Sequence, residues 1–193
     1  MSATSTALMT AEELIQLPRG YYRAELINGV LETMPLPGLP HGRIATRLGR
    51  PLAQFVEDHH LGEVFIGDVG FQVTWNPDTV LGPDVTFISK ARLDEVVEIK
   101  GYWQGSPDLA VEVYSPGYRP GKVSTRISRL FSFGTKQVWI VDLKHSTVRV
   151  YRSPSDVTTF SGSDYLEAQD ILPGFRISLD KIFGPTPGTV RER

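Results

Sequence analysis

The stretch "LAVEV", Leu109 to Val113, is an apolar run of strand length with a carboxylate inside it. Strand side chains alternate between faces, so Leu109, Val111 and Val113 share one face while Ala110 and Glu112 share the other. A lone ionised carboxylate buried on that second face is costly unless something partners it. Directly downstream, "GKVSTRISRLFSFG" reads as an amphipathic helix closed by Gly134 as a C-terminal cap, and "QVWIVDL" reads as the next strand. With the strand-rich "GEVFIGDVGFQVTW" and "VTFIS" upstream, this predicts an α+β protein: a mixed sheet with one helix before it in sequence and another inserted between core strands.

The remaining elements follow from local signals. "TAEELIQLP" carries a capping box, Thr10 with Glu13, and Pro18 ends its helix. "YRAELINGVLETM" is a hairpin, because Asn28-Gly29 is the favoured type I′ turn. In "HGRIATRLGRPLAQFVEDHH" the residues Ile44, Leu48, Leu52, Phe55 and Val56 recur at helical spacing, and Pro51 makes this one kinked helix or two short ones. Gly67 and Gly70 predict a bend, "ARLDEVVEIKGYWQGSPD" a short helix or loop, and "TVRVYR" a strand. In "LPGFRISLDKIFG", a turn and short helix, Leu172 and Phe175 fasten the final segment.

At 193 residues, without repeat or linker, the chain is read as a single domain spanning 1–193. Its first ~10 residues are expected to be disordered in this reading. Apolar residues make up 40% and charged residues 22%, the profile of a globular protein. The absence of cysteine excludes disulfides, thiolate metal sites and a cysteine nucleophile. No window approaches the roughly 18 consecutive apolar residues of a membrane span, and "MSATSTALMT" lacks a basic region and an apolar signal core, so a cytoplasmic protein with no membrane partner is expected. A net charge of −2 argues against a general nucleic-acid coat while leaving room for a local basic surface. A P-loop and a serine-hydrolase elbow are both missing: "GDVG" has no lysine at the required spacing, and no G-x-S-x-G occurs.

A second carboxylate, Asp84, opens the run "VTFIS" 28 positions before Glu112. Pro-Asp is routine turn chemistry, and Glu112 on a solvated face would need no further account. If the two strands pair, both carboxylates point to one end of the sheet. They would then repel, and one would take up a proton unless a cation were present. Mg²⁺ or Mn²⁺ is the cation that oxygen ligands suit. On the following helix Val123, Ile127, Leu130 and Phe131 form the apolar stripe, with Lys122, Arg126 and Arg129 on one flank. At about 100° per residue Arg126 falls about 60° from Val123, nearest the apolar edge, and so is best placed to lean over the sheet.

These stretches, in order, resemble the Uma-type nuclease family of the PD-(D/E)XK restriction-endonuclease-like superfamily. The matching segments are "AELINGVLETMP", "HGRIATRL", "GPDVTFIS", "PDLAVEVYSPGYRPGKVSTRISRLFSFGTKQVWIVD", "TVRVY" and "LPGF", from about residue 20 to residue 183. The resemblance implies a restriction-endonuclease-like mixed β-sheet core flanked by helices. It implies a metal-dependent endonuclease that hydrolyses phosphodiester bonds, with DNA as the expected substrate and a homodimer as the plausible assembly. Asp84 and Glu112 would be the metal-binding carboxylates, the Val113 carbonyl a third ligand and Glu25 an accessory acid. His41, at the family's histidine-bearing helix start, would touch phosphate or water.

The superfamily's lysine two places after the glutamate is Tyr114 here, and the family's replacement lysine aligns with Arg126, one turn after Lys122. Arginine can hold a phosphate and stabilise its developing charge, but its pKa bars it from acting as a general base. Three readings remain at this point: the chain works with arginine, Lys122 reaches in, or turnover is lost and a nucleic-acid-binding or assembly protein keeps the fold. Arg129 and Trp103, the latter in a Gly-flanked loop, are further candidate substrate contacts. Trp139 reads as core, and His59 and His60 at a helix C-terminus as solvated rather than metal-bound.

Overall fold

The computed structural model describes residues 8–18, 22–67, 69–98, 100–115 and 120–184. Helix α1, Ala11–Gln16, begins at Thr10, whose hydroxyl accepts from the Glu13 N–H while the Glu13 carboxylate accepts from the Thr10 N–H. Strands β1, Tyr22–Ile27, and β2, Val30–Pro35, form the expected hairpin, with Asn28 at φ 50° and Gly29 at φ 75° in its turn. Met9 donates its N–H to the Gly29 carbonyl, so the segment before α1 is docked on this turn from Leu8 onward; the expectation for residues 1–7 lies outside the described residues.

Helix α2, Leu39–Asp58, runs unbroken through Pro51. The missing hydrogen bond there is tolerated because Ile44, Leu48, Leu52 and Val56 form one buried stripe on both sides of the proline. Strand β3, Gly62–Ile66, is followed by a bend at Gly67 (φ 109°), and β4, Phe71–Thr74, belongs to a different sheet. Strands β5, Thr79–Leu81, and β6, Val85–Ser89, come next, then helix α3, Lys90–Leu93, and the short strand β7, Trp103–Gln104. Strand β8 is Leu109–Tyr114, helix α4 is Pro120–Ser132 and β9 is Gln137–Asp142. The chain continues through β10, Thr147–Tyr151, β11, Val157–Phe160, β12, Tyr165–Glu167, and β13, Arg176–Ser178, to helix α5, Leu179–Phe183.

The α+β class holds, and the strands divide among a six-stranded sheet (β11-β10-β9-β8-β6-β3), a five-stranded sheet (β2-β1-β5-β4-β7) and the pair β12-β13. At the centre of the larger sheet β8 pairs antiparallel with β6 and parallel with β9, and α4 makes the crossover between the parallel strands. Alternation along β8 builds two cores. Leu109, Val111 and Val113 pack with the α2 stripe and with Leu172, Phe175 and the end of the chain. Ala110 and Tyr114 pack on the opposite face with Val123, Ile127 and Leu130 of α4 and with Ile27, Phe71 and Leu81 of the smaller sheet.

Glu112 therefore lies on the face that α4 and the smaller sheet cover, 8% exposed in a strand buried along its whole length. Strands β7 and β11 to β13 carry little sequence signal, being short, or, in β11, largely exposed. The expected substrate contact at Trp103 is corrected: β7 pairs in parallel with β4, Phe71 opposite Trp103, and this carries the indole into the core at 6% exposure. Trp139 is fully buried as expected. His59 stacks on Phe55 at 4.1 Å and bonds its carbonyl at 2.8 Å.

Candidate active site

Four elements converge at one end of the central strands. Asp84 immediately precedes β6; its N–H donates to the Val111 carbonyl (3.1 Å), and its Oδ2 accepts from the Val113 N–H (2.7 Å). These two bonds turn the carboxylate toward β8, where Glu112 projects from the neighbouring position. From the smaller sheet β1 contributes Arg23 and Glu25, two residues apart and so on one strand face. From the opposite side α4 contributes Lys122, Arg126 and Arg129. The resulting cavity, about 370 Å³, is lined by Arg23, Glu25, Asp84, Glu112, Val113, Tyr114, Lys122, Thr125, Arg126 and Arg129, together with Glu32, Thr33 and Met34 of β2.

The three carboxylates are buried and partnered. Asp84 Oδ1 lies 3.0 Å from Arg23 Nη1, and Asp84 Oδ2 lies 3.2 Å from His41 Nε2 near the start of α2. Arg23 is itself fixed, since Nη2 donates to the Gly82 carbonyl at 2.9 Å. Arg126 donates from Nε to Glu112 Oε1 at 2.7 Å, and from Nη1 and Nη2 to the two Glu25 oxygens at 2.7 and 2.8 Å. Glu25 Oε1 also accepts from the Gly82 N–H at 2.7 Å. One guanidinium thus spans two carboxylates, in the fork geometry that lysine cannot supply.

The electrostatics follow from the shortage of cations at Glu112. Burial works against its charge, Arg126 favours it, and Asp84 and Glu25 oppose it, so its carboxyl is pushed up to about 7. Arg126, although desolvated, is held firmly charged by Glu112 and Glu25. Asp84 is desolvated too, but the His41 bond, the Val113 N–H and the charge of Arg23 outweigh that and hold its carboxyl below the usual range. Two carboxylates with unlike proton affinities therefore face one cavity, an arrangement suited to acid–base and metal chemistry.

The chain matches the model of the Uma2 family, described as "Putative restriction endonuclease", over residues 11–180. The chain belongs to the Uma2 family. The Uma2 fold seen here is also that of a protein from Anabaena variabilis whose crystal structure is described as "a putative nuclease": the TM-score is 0.77 at 22% identity, over 91% of this chain and 97% of that one. No curated protein matches this Uma2 chain.

Of the residues read from the sequence, Asp84, Glu112, Val113, Glu25, Arg126, Lys122 and Arg129 line the cavity together. His41 does not line it: the ring is 7% exposed and bonds Asp84, one step behind the wall. Arg23 was not foreseen, although its spacing from Glu25 in "YRAELI" is the signal that would have found it. Residues 116–119, which precede α4 in sequence, lie outside the described residues.

Three carboxylates on one wall are the donors a hard divalent cation takes. As they stand, no group of three or more His, Asp or Glu side chains among the described residues is disposed to hold an ion. The donor chemistry fits such a cation, and Arg126 holds the place between Glu25 and Glu112 where its charge would be felt. No helix among the described residues is long and apolar enough to cross a membrane.

Proposed function

We propose that this chain is a metal-dependent endonuclease that hydrolyses phosphodiester bonds, with DNA as its substrate. The observation that carries this reading is that Asp84, Glu112 and Glu25 line one cavity of about 370 Å³ together with Lys122 and Arg129. Carboxylates and cations lining one space are what a phosphodiester needs: one group to direct water, another to hold the anion. Mg²⁺ or Mn²⁺, held by Asp84, Glu112 and the Val113 carbonyl with Glu25 assisting, would supply bound water of lowered pKa. Lys122 and Arg129 bind and orient the phosphate. Arg126, always protonated, stabilises charge and leaves proton transfer to other groups. Asp84 stays ionised, whereas Glu112 can carry a proton near neutral pH. The reading extends to a homodimer, one copy cutting each strand, working in the cytoplasm.

The test is cleavage of plasmid, single-stranded DNA and RNA with Mg²⁺ or Mn²⁺, wild type beside Glu112→Ala. Cleavage of DNA by wild type alone is the expected result, and intact cleavage by the variant would sink the reading. A second reading, a nucleic-acid-binding or assembly protein without turnover, is favoured by Tyr114 in the lysine position and by Arg126 already tying up Glu25 and Glu112. It predicts binding that a chelator leaves unchanged and no cleavage with either metal.

A further inference from the structure

The wall carboxylates are satisfied from two independent sources. Asp84 depends on Arg23, His41 and the Val113 N–H, none of which contributes to the Glu25 or Glu112 bonds described above. Glu25 and Glu112 instead share one cation, Arg126, which spends its Nε, Nη1 and Nη2 groups on them at 2.7 to 2.8 Å. The fork is needed for this: β1 and β8 belong to different sheets, and only a planar group with donors on two edges reaches both carboxylates at once. A divalent cation at Glu112 would meet this guanidinium at close range, where like charges in a poorly screened site repel strongly.

We propose that Arg126 is a resident counter-ion that competes with a divalent cation for Glu25 and Glu112, so that the cation enters only as the guanidinium leaves. This rests on the metal-dependent reading above. The guanidinium has somewhere to go. It borders a cavity of about 370 Å³, and the flexible stem can swing the charge into that space without moving α4. Holding Glu25 and Glu112 by an internal cation also explains how the fold keeps these two buried acids together before any metal binds, since unpaired they would repel and take up protons. The cost is weaker metal binding by the resting protein.

The experiment is calorimetric titration of the full chain with Mn²⁺ in the absence of nucleic acid, wild type beside Arg126→Gln. The variant is expected to bind Mn²⁺ roughly tenfold more tightly, equivalent to about 1.4 kcal/mol of relieved competition. Without metal it is expected to melt below wild type, because two buried acids lose their partner, and saturating Mn²⁺ is expected to raise its Tm more than it raises that of wild type. If Arg126→Gln fails to fold, Arg126→Lys serves: it keeps the charge, loses the fork, and is expected to bind Mn²⁺ more tightly than wild type. Equal or weaker binding by the folded variants, with wild type binding Mn²⁺, overturns the competition and leaves the metal-dependent reading standing. No Mn²⁺ binding by any of the chains overturns both.

Discussion

Arg126 and Glu25, 101 positions apart, meet in a two-pronged ion pair at 2.7 and 2.8 Å that fastens α4 to the first strand of the smaller sheet. Both side chains are nearly buried, at 12% and 8% exposure, so the pair is a structural tie as well as part of the cavity wall. The same Glu25 stands opposite Glu32 across the β1–β2 ladder, a like-charge juxtaposition that Arg126 offsets from the Glu25 side.

Glu25→Gln follows from that geometry. The amide oxygen can still accept from the Gly82 N–H, but the charge-assisted fork is lost, and a hydrogen bond to a charged group contributes about 1.5–3 kcal/mol. Urea denaturation should show a loss in that range with the m-value unchanged. A loss under about 0.5 kcal/mol, the level of an ordinary surface change, would mean that the pair does not tie α4 down.

His41 bonds Asp84, its Nε2 lying 3.2 Å from Asp84 Oδ2 and its ring behind the cavity wall, so on the proposed reading it acts through that carboxylate. His41→Ala should lower cleavage by about 10–100-fold, the range for groups that orient a ligating side chain. KM for DNA should hardly move, since the ring does not line the cavity. His41→Gln, which can still donate to the carboxylate, should recover most of the rate. A large rise in KM with kcat intact would instead make His41 a direct substrate contact.

Much of this arrangement was legible in the residues. The Glu112 anomaly, the turn at Asp84 and the position of Arg126 beside the apolar stripe each follow from period-2 and period-3.6 patterning, and the structure brings all three to one cavity. What the patterning could not give was the partnering. Whether two buried acids wait for a metal or already share an arginine depends on how β1 of one sheet approaches β8 of the other, a relationship set by the bend at Gly67 and by the packing of Ile27, Phe71 and Leu81 over α4. Trp103 failed for a related reason. Its glycine neighbours suggest a loop, while the parallel pairing with β4 that buries it is a long-range contact with no local signature.

Asp108 contributes to the acid sensitivity of the fold. Its carboxylate is buried; although desolvation works against its charge, bonds from Lys136 and the Ser89 N–H and the charge of Arg92 hold its pKa below the usual value. A depressed carboxylate stabilises the fold above its unfolded pKa, about 3.9, and the contribution is lost as pH falls through the lower folded value. Wild-type stability should therefore drop steeply below about pH 4. Asp108→Asn should be less stable at neutral pH and show a flatter acid limb. Parallel curves for the two proteins in urea melts from pH 7 down would exclude this role.

Lys122 and Arg129 sit on α4, either side of Arg126 in sequence, line the same cavity, and are the two cations the proposed reading assigns to phosphate. A contact to phosphate releases a condensed counterion, so each should contribute close to one unit to the salt dependence of binding. With a duplex oligonucleotide and no divalent metal, Lys122→Ala and Arg129→Ala should each weaken binding at low salt and reduce the slope of log Kobs against log salt by about 0.9. Lys122→Ala should leave thermal stability within about 0.5 kcal/mol, because its side chain is exposed. The effect should be alike for every duplex sequence, since phosphate contacts carry no base information. Slopes that stay at the wild-type value in both variants would move the nucleic acid off this face of α4 and leave the carboxylate wall without its substrate.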